Sequence, residues 1–412
     1  MTAERPSRLA TVIVVVGGAL AGWSVLSHLR DPDLTTRVDR ALGAGLQALV
    51  RAQSRDGAWR SKTYGVFKDG LSLTPTVLKA VAFGPNIEGS PAARRRGAEY
   101  LKSHVRADGS IDGGLFGMTY PVYTSSAAVI ALSQLSSGRP DPARDAWLRE
   151  LRRRQLTEEL GWMPDDPAFG GWGYSIEPPA KNQVDAAGGR HVDSDLSSTL
   201  FAIGALRIAG VAAGDPMIRK GLIFIERCQN LAANDAGNDP RFDEGGFFFS
   251  PTDTVRNKAG ESGTDQHGRL RYHSYGSATA DGLRALLRCG LRADDRRVVA
   301  ARRWLETNFS ASTNPGTFES VREVGRDATY FYYAWSVAHA FRALGIDQII
   351  QSGRKVNWAE ALARELVRRQ RPDGTWSNRF TASKEDDPLV ATSFAAGALG
   401  NCRLFLAKAE FK

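Results

Sequence analysis

Three aspartates are notable because each lies in, or at the head of, a stretch with few other charges. Asp193 and Asp195 directly precede one uncharged run, and Asp281 lies inside another. The Asp195 carboxylate is placed to cap a helix by accepting the N–H of Ser197 or Ser198. A buried carboxylate is costly unless it is paired or functional, so Asp281 is a second candidate acid.

Aromatic side chains are concentrated at the starts of the uncharged runs and in one glycine-rich loop. A ring face can stabilise a cation, stack on a sugar ring or pack in a core. We predict that six of these side chains contact a substrate: Tyr123, Trp172, Tyr275, Tyr330, Tyr333 and Trp335.

The residues that could hold a metal ion are few and irregularly spaced. Asp265, His267 and His273 lie in one long loop and His191 in another, where carboxylate and imidazole could bind a divalent ion. Histidines in loops are more often surface residues, so we predict no metal site and no cofactor. The three cysteines include no C-x-x-C pair and fit neither a zinc site nor a disulfide framework.

A sixfold alternation of two helix types positions these groups. Amphipathic runs alternate from residue 35 onward with runs that carry almost no charge. A helix that is apolar on all sides must be buried on all sides, so the pattern predicts an all-α fold with an inner ring of helices inside an outer ring. The amphipathic runs lie near 35–53, 91–105, 141–155, 215–229, 294–308 and 356–370. The uncharged runs lie near 71–82, 121–137, 195–209, 274–289, 328–343 and 388–405.

A short motif joins amphipathic runs to the uncharged runs that follow them. It reads Gln370-Arg-Pro-Asp-Gly-Thr-Trp376 near the end of the chain and Gln53-Ser-Arg-Asp-Gly-Ala-Trp59 near its start. Asp-Gly forms a turn, the tryptophan can pack back on the helix end, and the glutamine amide can bond backbone groups freed there. Degenerate copies are Ala107-Asp108-Gly109-Ser110, Gln155 with Gly161-Trp162, and Gln229 with Gly245-Gly246-Phe247.

This Q-x-x-D-G-x-W pattern resembles the QW repeat of the squalene cyclase and prenyltransferase superfamily, over residues 35–405. The resemblance implies a terpenoid cyclase-like (α/α)6 toroid of six helical hairpins around a central cavity. Polycyclising members protonate an alkene with a D-x-D-D motif, so by resemblance Asp195 is the proton donor and Asp193 its neighbour. Leu196 stands where the last acid would be. The Asp-x-Cys pair of the zinc-dependent protein prenyltransferases does not occur in the sequence.

The long loops indicate where the pocket should open. If all hairpins run in the same direction, the six inner N-termini gather at one end, where loops 157–193 and 231–273 also lie. Helix N-termini would give that end a positive potential suited to a diphosphate or a carboxylate. We therefore expect the mouth at the N-terminal ends of the inner helices.

The N-terminal region contains a run, residues 9–29, without Lys, Arg, Asp or Glu. About 20 such residues can cross a bilayer as one helix, and the flanking charges favour a cytoplasmic segment 1–8 with the body outside. We predict a single transmembrane anchor, with a cleaved signal peptide as the alternative. A linker, residues 30–34, and one extracytoplasmic toroid domain, residues 35–412, would follow.

Charge and composition constrain the partners. The chain carries a net charge of +9, but no stretch combines Lys/Arg clusters with regularly placed aromatics, so we predict no nucleic-acid partner. Membrane lipid is a better partner for a basic body. The sequence carries no signal for the oligomeric state.

The predicted function is that of a membrane-anchored terpenoid cyclase-like protein. It would cyclise an isoprenoid or other apolar chain by acid initiation, as a class II terpene cyclase-like isomerase or transferase, or bind that chain in a central cavity. One alternative is a polysaccharide lyase-like or hydrolase-like toroid acting on acidic sugars. Another is a non-catalytic lipid-binding or scaffold toroid.

Overall fold

The structure, a computed structural model, describes residues 34–114, 117–137, 139–186, 194–231 and 239–410 of the 412-residue chain. The predicted anchor, residues 9–29, and Asp193 lie outside this part of the chain. One described helical segment, Pro388–Leu406, is long and apolar enough to cross a membrane, but most of it is buried inside the protein.

The described chain is mostly helical, and twelve of its helices have ten or more residues. Its strands are short. In chain order the helices are α1 (Leu34–Arg51), α2 (Thr74–Phe83), α3 (Ser90–Ser103), α4 (Pro121–Ser136), α5 (Pro142–Arg152), the short α6 (Lys181–Ala186), α7 (Leu196–Ile208), α8 (Pro216–Arg227), α9 (Gly276–Arg288), α10 (Arg296–Asn308), the short α11 (Glu323–Asp327), α12 (Tyr330–Ala343), α13 (Trp358–Arg369) and α14 (Pro388–Glu410). Antiparallel pairs join β1 (Trp172–Gly173) to β2 (Ser194–Asp195), β3 (Glu261–Thr264) to β4 (Leu270–Tyr272), and β5 (Ile349–Gln351) to β6 (Arg354–Val356).

The helices α2, α4, α7, α9, α12 and α14 form a closed inner ring, in which each packs on the next and α14 packs on α2. The amphipathic helices lie outside them, and α1 packs against α13 and α14 from the other end of the chain. Burial on every side explains why the inner helices are apolar all round; in α7 every residue from Leu196 to Leu206 is buried. The predicted all-α toroid, with the uncharged helices inside, agrees with this arrangement.

Glutamine side chains at the ends of several outer helices each donate one hydrogen bond within their own turn and one to the next outer helix. We call each such glutamine, with its turn and the aromatic residue that follows, a clip. The Gln53 amide donates bonds of 2.9 Å to the carbonyls of Gly57, in its own turn, and of Ala93 in α3. Gln370 donates bonds of 2.8 Å to Gly374 and to Ala41 of α1, and so closes the ring. The equivalent bonds of the remaining clips run from Gln155 to Gly170 and Met217, and from Gln229 to Gly245 and Arg297.

Each clip also fixes the start of the inner helix that follows. The backbone N–H of its aromatic residue donates to a threonine hydroxyl near the start of that helix. The pairs are Trp59 with Thr74, Trp172 with Thr199, Phe247 with Thr279, and Trp376 with Thr392.

The clip at Gln155 differs from the predicted copy, which paired this glutamine with Gly161-Trp162. The chain makes an excursion after Gln155 and returns at Gly170, and Trp172 fills the tryptophan position. Trp162 lies in the excursion, where its indole N–H donates to the carbonyl of Pro179 at 2.7 Å.

Gly374→Ala should destabilise the protein by about 2–3 kcal/mol, because it adds left-handed backbone strain and a close contact with α1. Gly374 has φ +85°, and a Cβ there would lie 2.9 Å from the carbonyl oxygen of Ala44. Gly353→Ala is the matched control, since Gly353 has φ +75° but nothing within 4 Å of an added Cβ. Denaturant unfolding should show a clearly smaller loss for the control, of about 1 kcal/mol. Equal losses would mean that the close approach to α1 contributes nothing.

Candidate functional site

A central cavity of about 990 Å³ lies inside the ring of inner helices. All six inner helices contribute to its wall, mainly through their C-terminal halves, and α1 adds Asp39, Leu42 and Leu46. At the rim Phe83, Ile208 and Leu404 are 54%, 41% and 46% exposed, so the cavity opens at this end.

The mouth therefore lies at the C-terminal ends of the inner helices, opposite to the predicted end. Side-chain size explains the difference. Gly400 leaves open space on the cavity wall, while Gly204 and Gly397 make room for the side chains of Arg288 and Trp335. The N-terminal halves carry large aromatic side chains, such as Tyr123 and Tyr332, each of which packs against Phe201.

Three aromatic rings form the inner end of the cavity. Trp335 lies between Phe201 and Phe394, with ring centroids 5.5 and 5.6 Å away. Gly397 makes room for the indole, because a Cβ there would lie 2.7 Å from Trp335 Cδ1. The inner end of the cavity is therefore a rigid apolar surface.

Basic side chains stand on and around this aromatic surface. Lys79 Nζ lies 4.8 Å from the ring centroid of Phe201 and 4.9 Å from that of Trp335, and the Arg284 guanidinium lies 4.3 Å from Trp335. Burial, with Arg284 and Arg288 close by, lowers the pKa of Lys79 to about 7. Burial and the same cations hold the pKa of His339 well below its ordinary value. The wall thus gathers basic groups whose burial and mutual repulsion favour the uncharged forms of Lys79 and His339.

Asp281 lies directly behind this surface and is fully buried. Its carboxylate accepts hydroxyl hydrogen bonds from Ser197 at 2.7 Å, Tyr332 at 2.6 Å and Ser336 at 2.5 Å, and lies 3.5 Å from Arg284 Nη1. Burial raises the pKa of Asp281, while Arg284 and the hydroxyl donors oppose that rise. Arg284 lines the cavity, so Asp281 is one side chain removed from it.

Asp195 caps α7, as predicted. Its carboxylate accepts the Ser198 N–H at 2.7 Å and the Ser198 hydroxyl at 2.6 Å. Burial raises the pKa of Asp195 to about 7, with the Ser198 bonds and then Arg256 and Lys258 opposing the rise. Asp195 does not line the central cavity. Its role as proton donor, and that of Asp193, stays a prediction.

Of the six aromatic side chains predicted to contact a substrate, one lies on the cavity wall, one lies directly behind it and four lie away from it. Trp335 lines the cavity, and Tyr123 lies behind Phe201, with ring centroids 4.9 Å apart. The other four lie away from the cavity wall: Trp172 donates its indole N–H to Leu151, Tyr275 packs on Phe318, Tyr330 donates its hydroxyl to Ala311, and Tyr333 donates its hydroxyl to Ser310.

Sequence reasoning missed the basic residues of the cavity wall. The inner helices are nearly uncharged overall, and the positions of their few charged residues along each helix were not used in the prediction. Those that line the cavity are basic and lie toward the helix C-termini: Lys79, Arg207, Arg284, Arg288, Arg342 and Arg403. Their shared positive charge and their shared position near the helix C-termini were the signal from which these residues could have been predicted.

The candidate metal-binding residues do not form a metal site in the described part of the chain, where no three His, Cys, Asp or Glu residues lie together. Asp265 instead organises its own loop by accepting the backbone N–H of His267 at 2.9 Å and of Arg269 at 3.0 Å. His191 lies outside the described residues.

Several proteins of known structure share this fold. The type II terpene cyclase MstE from Scytonema, in complex with its substrate geranylgeranyl dihydroxybenzoate, is 14% identical and matches 92% of this chain and 100% of its own with a TM-score of 0.53. A glycosidase in complex with glucose is 12% identical and matches 92% of this chain and 100% of its own with a TM-score of 0.51. A protein from Actinoplanes is 14% identical, with 89% and 99% covered and a TM-score of 0.51.

At these identities the likeness establishes the fold alone. The chain has a terpenoid cyclase-like helical toroid fold, which glycosidases share. No protein-family model matches the chain, and no curated protein sequence matches it significantly.

Replacing Asp195 with Asn should change how stability depends on pH. The folded pKa is about 7 and the ordinary value is near 4, so between these values the folded state keeps a proton that the unfolded chain has lost. The stability contributed by this group is therefore present below about pH 4 and is lost as the pH rises to about 7. Asn caps nearly as well as Asp and does not titrate.

Asp195→Asn should thus gain stability relative to the unmodified protein, by more than about 1 kcal/mol across that interval, and then level off. Denaturant unfolding at several pH values between about 4 and about 8 measures the difference. Asp215→Asn, at the cap of α8, controls for replacing a cap aspartate. If the difference in unfolding free energy between Asp195→Asn and the unmodified protein stays constant with pH, the pKa of Asp195 is not raised in the folded state.

Proposed function

We propose that this protein binds an isoprenoid or a similar apolar chain in its central cavity. The cavity itself is the observation that carries the proposal. Its volume, about 990 Å³, is that of a small-molecule site, and its inner end consists of Phe201, Trp335 and Phe394. Aliphatic side chains, including Leu42, Leu46 and Ile130, continue the wall. Such a surface favours removal of an apolar chain from water.

The fold and the glutamine clips support the same class of ligand. MstE, which shares the fold, binds geranylgeranyl dihydroxybenzoate as its substrate. The clips at Gln53 and Gln370 repeat one set of hydrogen bonds at opposite ends of the chain. That repetition supports the assignment of the Q-x-x-D-G-x-W segments to the QW repeats of squalene cyclases and prenyltransferases.

The reaction that this site could support is acid-initiated cyclisation. A carboxylic acid would transfer its proton to one carbon of a terminal double bond, and the resulting carbocation would take an electron pair from the next double bond. Loss of a proton at the end makes the change an isomerisation. Asp281 is the buried acid directly behind the inner end of the cavity, and Asp195 is the acid favoured by resemblance. The positive wall opposes a carbocation, so binding is the better supported part of the proposal.

The acidic-sugar alternative is less well supported by the cavity. Hydrolysis of a glycosidic bond generally uses two carboxyl groups that flank it. Of the residues that line the described cavity, only Asp39 is acidic, and it lies near the mouth. The aliphatic wall also suits a hydrocarbon chain better than a sugar.

The position of the mouth supports a membrane-facing orientation. Asp39 and Leu42 of α1 line the cavity near its open end, so α1 begins close to the mouth. The predicted anchor, residues 9–29, would hold the mouth toward the bilayer. The rim suits a lipid surface because the exposed apolar side chains of Phe83, Ile208 and Leu404 are accompanied by basic ones, the exposed Arg342 and the half-buried Arg207 and Arg403.

Gly400→Phe should abolish much of the binding of a neutral isoprenoid alcohol. Gly400 lines the cavity, and an added Cβ meets nothing within 4 Å, so the ring can enter the cavity without disturbing the helix. Filling that space should weaken binding of farnesol at least ~10-fold, as overpacking by a bulky group costs about 1–3 kcal/mol. Calorimetry measures the affinity.

Gly43→Phe is the matched control, because Gly43 is a helical glycine with nothing within 4 Å of an added Cβ, outside the cavity. It should leave the affinity within about 2-fold, which is below 0.5 kcal/mol. Unchanged binding in Gly400→Phe would place the ligand elsewhere.

Incubation of farnesol and longer isoprenoids with the protein, followed by mass spectrometry, tests for cyclised products, which Asp281→Asn and the milder Tyr332→Phe should reduce.

A further inference from the structure

The basic residues on the cavity wall outnumber the groups that could neutralise them. Lys79 comes from α2, Arg284 and Arg288 from α9, and His339 from α12, so separate elements bring them together. A neutral apolar ligand needs none of them. Unpaired cations in a partly buried site are costly and are a mark of functional sites.

Most of the arginines around the cavity are already partnered. Arg284 faces Asp281 and donates to Ser336 at 2.9 Å, and Arg403 pairs with Asp39 at 2.6 Å near the mouth. Arg342 donates to Asn401 at 3.0 Å. These contacts account for three of the charges without a ligand.

Lys79 and Arg288 are different. Among the described residues Lys79 makes no hydrogen bond or ion pair, and its ammonium meets only the faces of Phe201 and Trp335. Arg288 makes one weak bond, to the carbonyl of Leu200 at 3.3 Å. Both side chains line the cavity, so their unused N–H donors are available to a molecule inside it.

The ring is shaped to admit the Arg288 guanidinium. Gly204 of α7 lies opposite, and a Cβ at that position would come within 2.3 Å of Arg288 Nη1 and 2.9 Å of its Cζ. Any larger residue at 204 would push the guanidinium aside. The glycine therefore keeps this charge on the cavity wall, near enough to Lys79 for the two charges to repel each other.

We propose that Lys79 and Arg288 form an anion site that binds the head group of an amphipathic ligand, a carboxylate or a phosphate attached to an apolar chain. This inference rests on the proposed function and adds the chemistry of one end of the ligand. Arg288 offers the planar pair of donors that matches either anion, and Lys79 adds a second charge. The aromatic rings and aliphatic side chains of the same cavity wall would hold the apolar chain.

The lowered pKa values of Arg288 and Lys79 are consistent with an anionic ligand. Burial and the neighbouring Arg284 lower the pKa of Arg288 to about 9, and the pKa of Lys79 is lowered to about 7. A bound anion would raise the pKa of Lys79, so binding should take up protons near neutral pH and weaken as the pH rises above about 7. The charged groups around Lys79 include Arg284 and Arg288 from α9, His339 and Arg342 from α12, Arg207 from α7, Arg403 from α14 and Asp39 from α1.

Three probes that share one chain separate the possible outcomes: farnesol, farnesoic acid and farnesyl phosphate. The acid or the phosphate should bind at least ~10-fold more tightly than the alcohol, because charged groups gain charge-assisted hydrogen bonds. The comparison of acid with phosphate identifies the head group. Equal affinity for all three would overturn the anion site and leave the proposed function standing. No binding of any probe would overturn both.

Two variants test the assigned residues. Lys79→Met keeps the apolar stem and removes the charge, so it should erase the ~10-fold preference for the anionic probe without weakening farnesol binding. Gly204→Ala should displace the Arg288 guanidinium and reduce the same preference without removing any charge. Lys68→Met, at an exposed lysine outside the cavity, is the control and should change nothing.

Proton uptake gives an independent readout. Calorimetry of the anionic probe in buffers of different ionisation enthalpy should report protons bound near pH 7, and Lys79→Met should abolish that uptake. Uptake that persists in Lys79→Met would show that another group responds to the ligand and would contradict the assignment of Lys79.

Discussion

The hydrogen bond from the Gln370 amide to the Ala41 carbonyl ties the last clip to the first outer helix. Because the same amide also bonds Gly374, the turn before α14 is held against α1. α14 can then pack between α12 and α2 and complete the inner ring. An enclosed cavity exists only because this ring is closed. The architecture thus depends on a local contact between segments at opposite ends of the chain.

The direction of the inner helices sets the electrostatics of the cavity. Their C-terminal ends face the mouth, where the helix dipoles are negative, so basic side chains near those ends are stabilised. This accounts for Arg207 and Arg342, which lie in the last turns of α7 and α12. It accounts less well for Lys79, whose ammonium rests on two aromatic faces without an acceptor. An anionic ligand supplies the missing partner.

Sequence reasoning predicted the fold closely because the inner helices must be apolar on all sides, a property that can be read from composition alone. The run near 195–209 became α7, Leu196–Ile208, and the cap at Asp195 followed from residue type. The mouth could not be predicted, because it depends on which half of the ring small residues such as Gly400 leave open. The partner of Gln155 could not be predicted either. Its amide bonds Gly170, which follows a long loop whose length the sequence pattern does not indicate. The cavity cations were visible in the sequence, but their convergence needed the ring geometry.

The most direct test of the central claim is a crystal structure of the protein with bound farnesoic acid. The account predicts the chain inside the ring, against Phe201, Trp335 and Phe394. Carboxylate oxygens should lie within about 3.2 Å of Lys79 Nζ and the Arg288 guanidinium. A ligand at the opposite end of the ring, beside Asp195, or an empty central cavity beside a ligand bound on the outer surface, would contradict it.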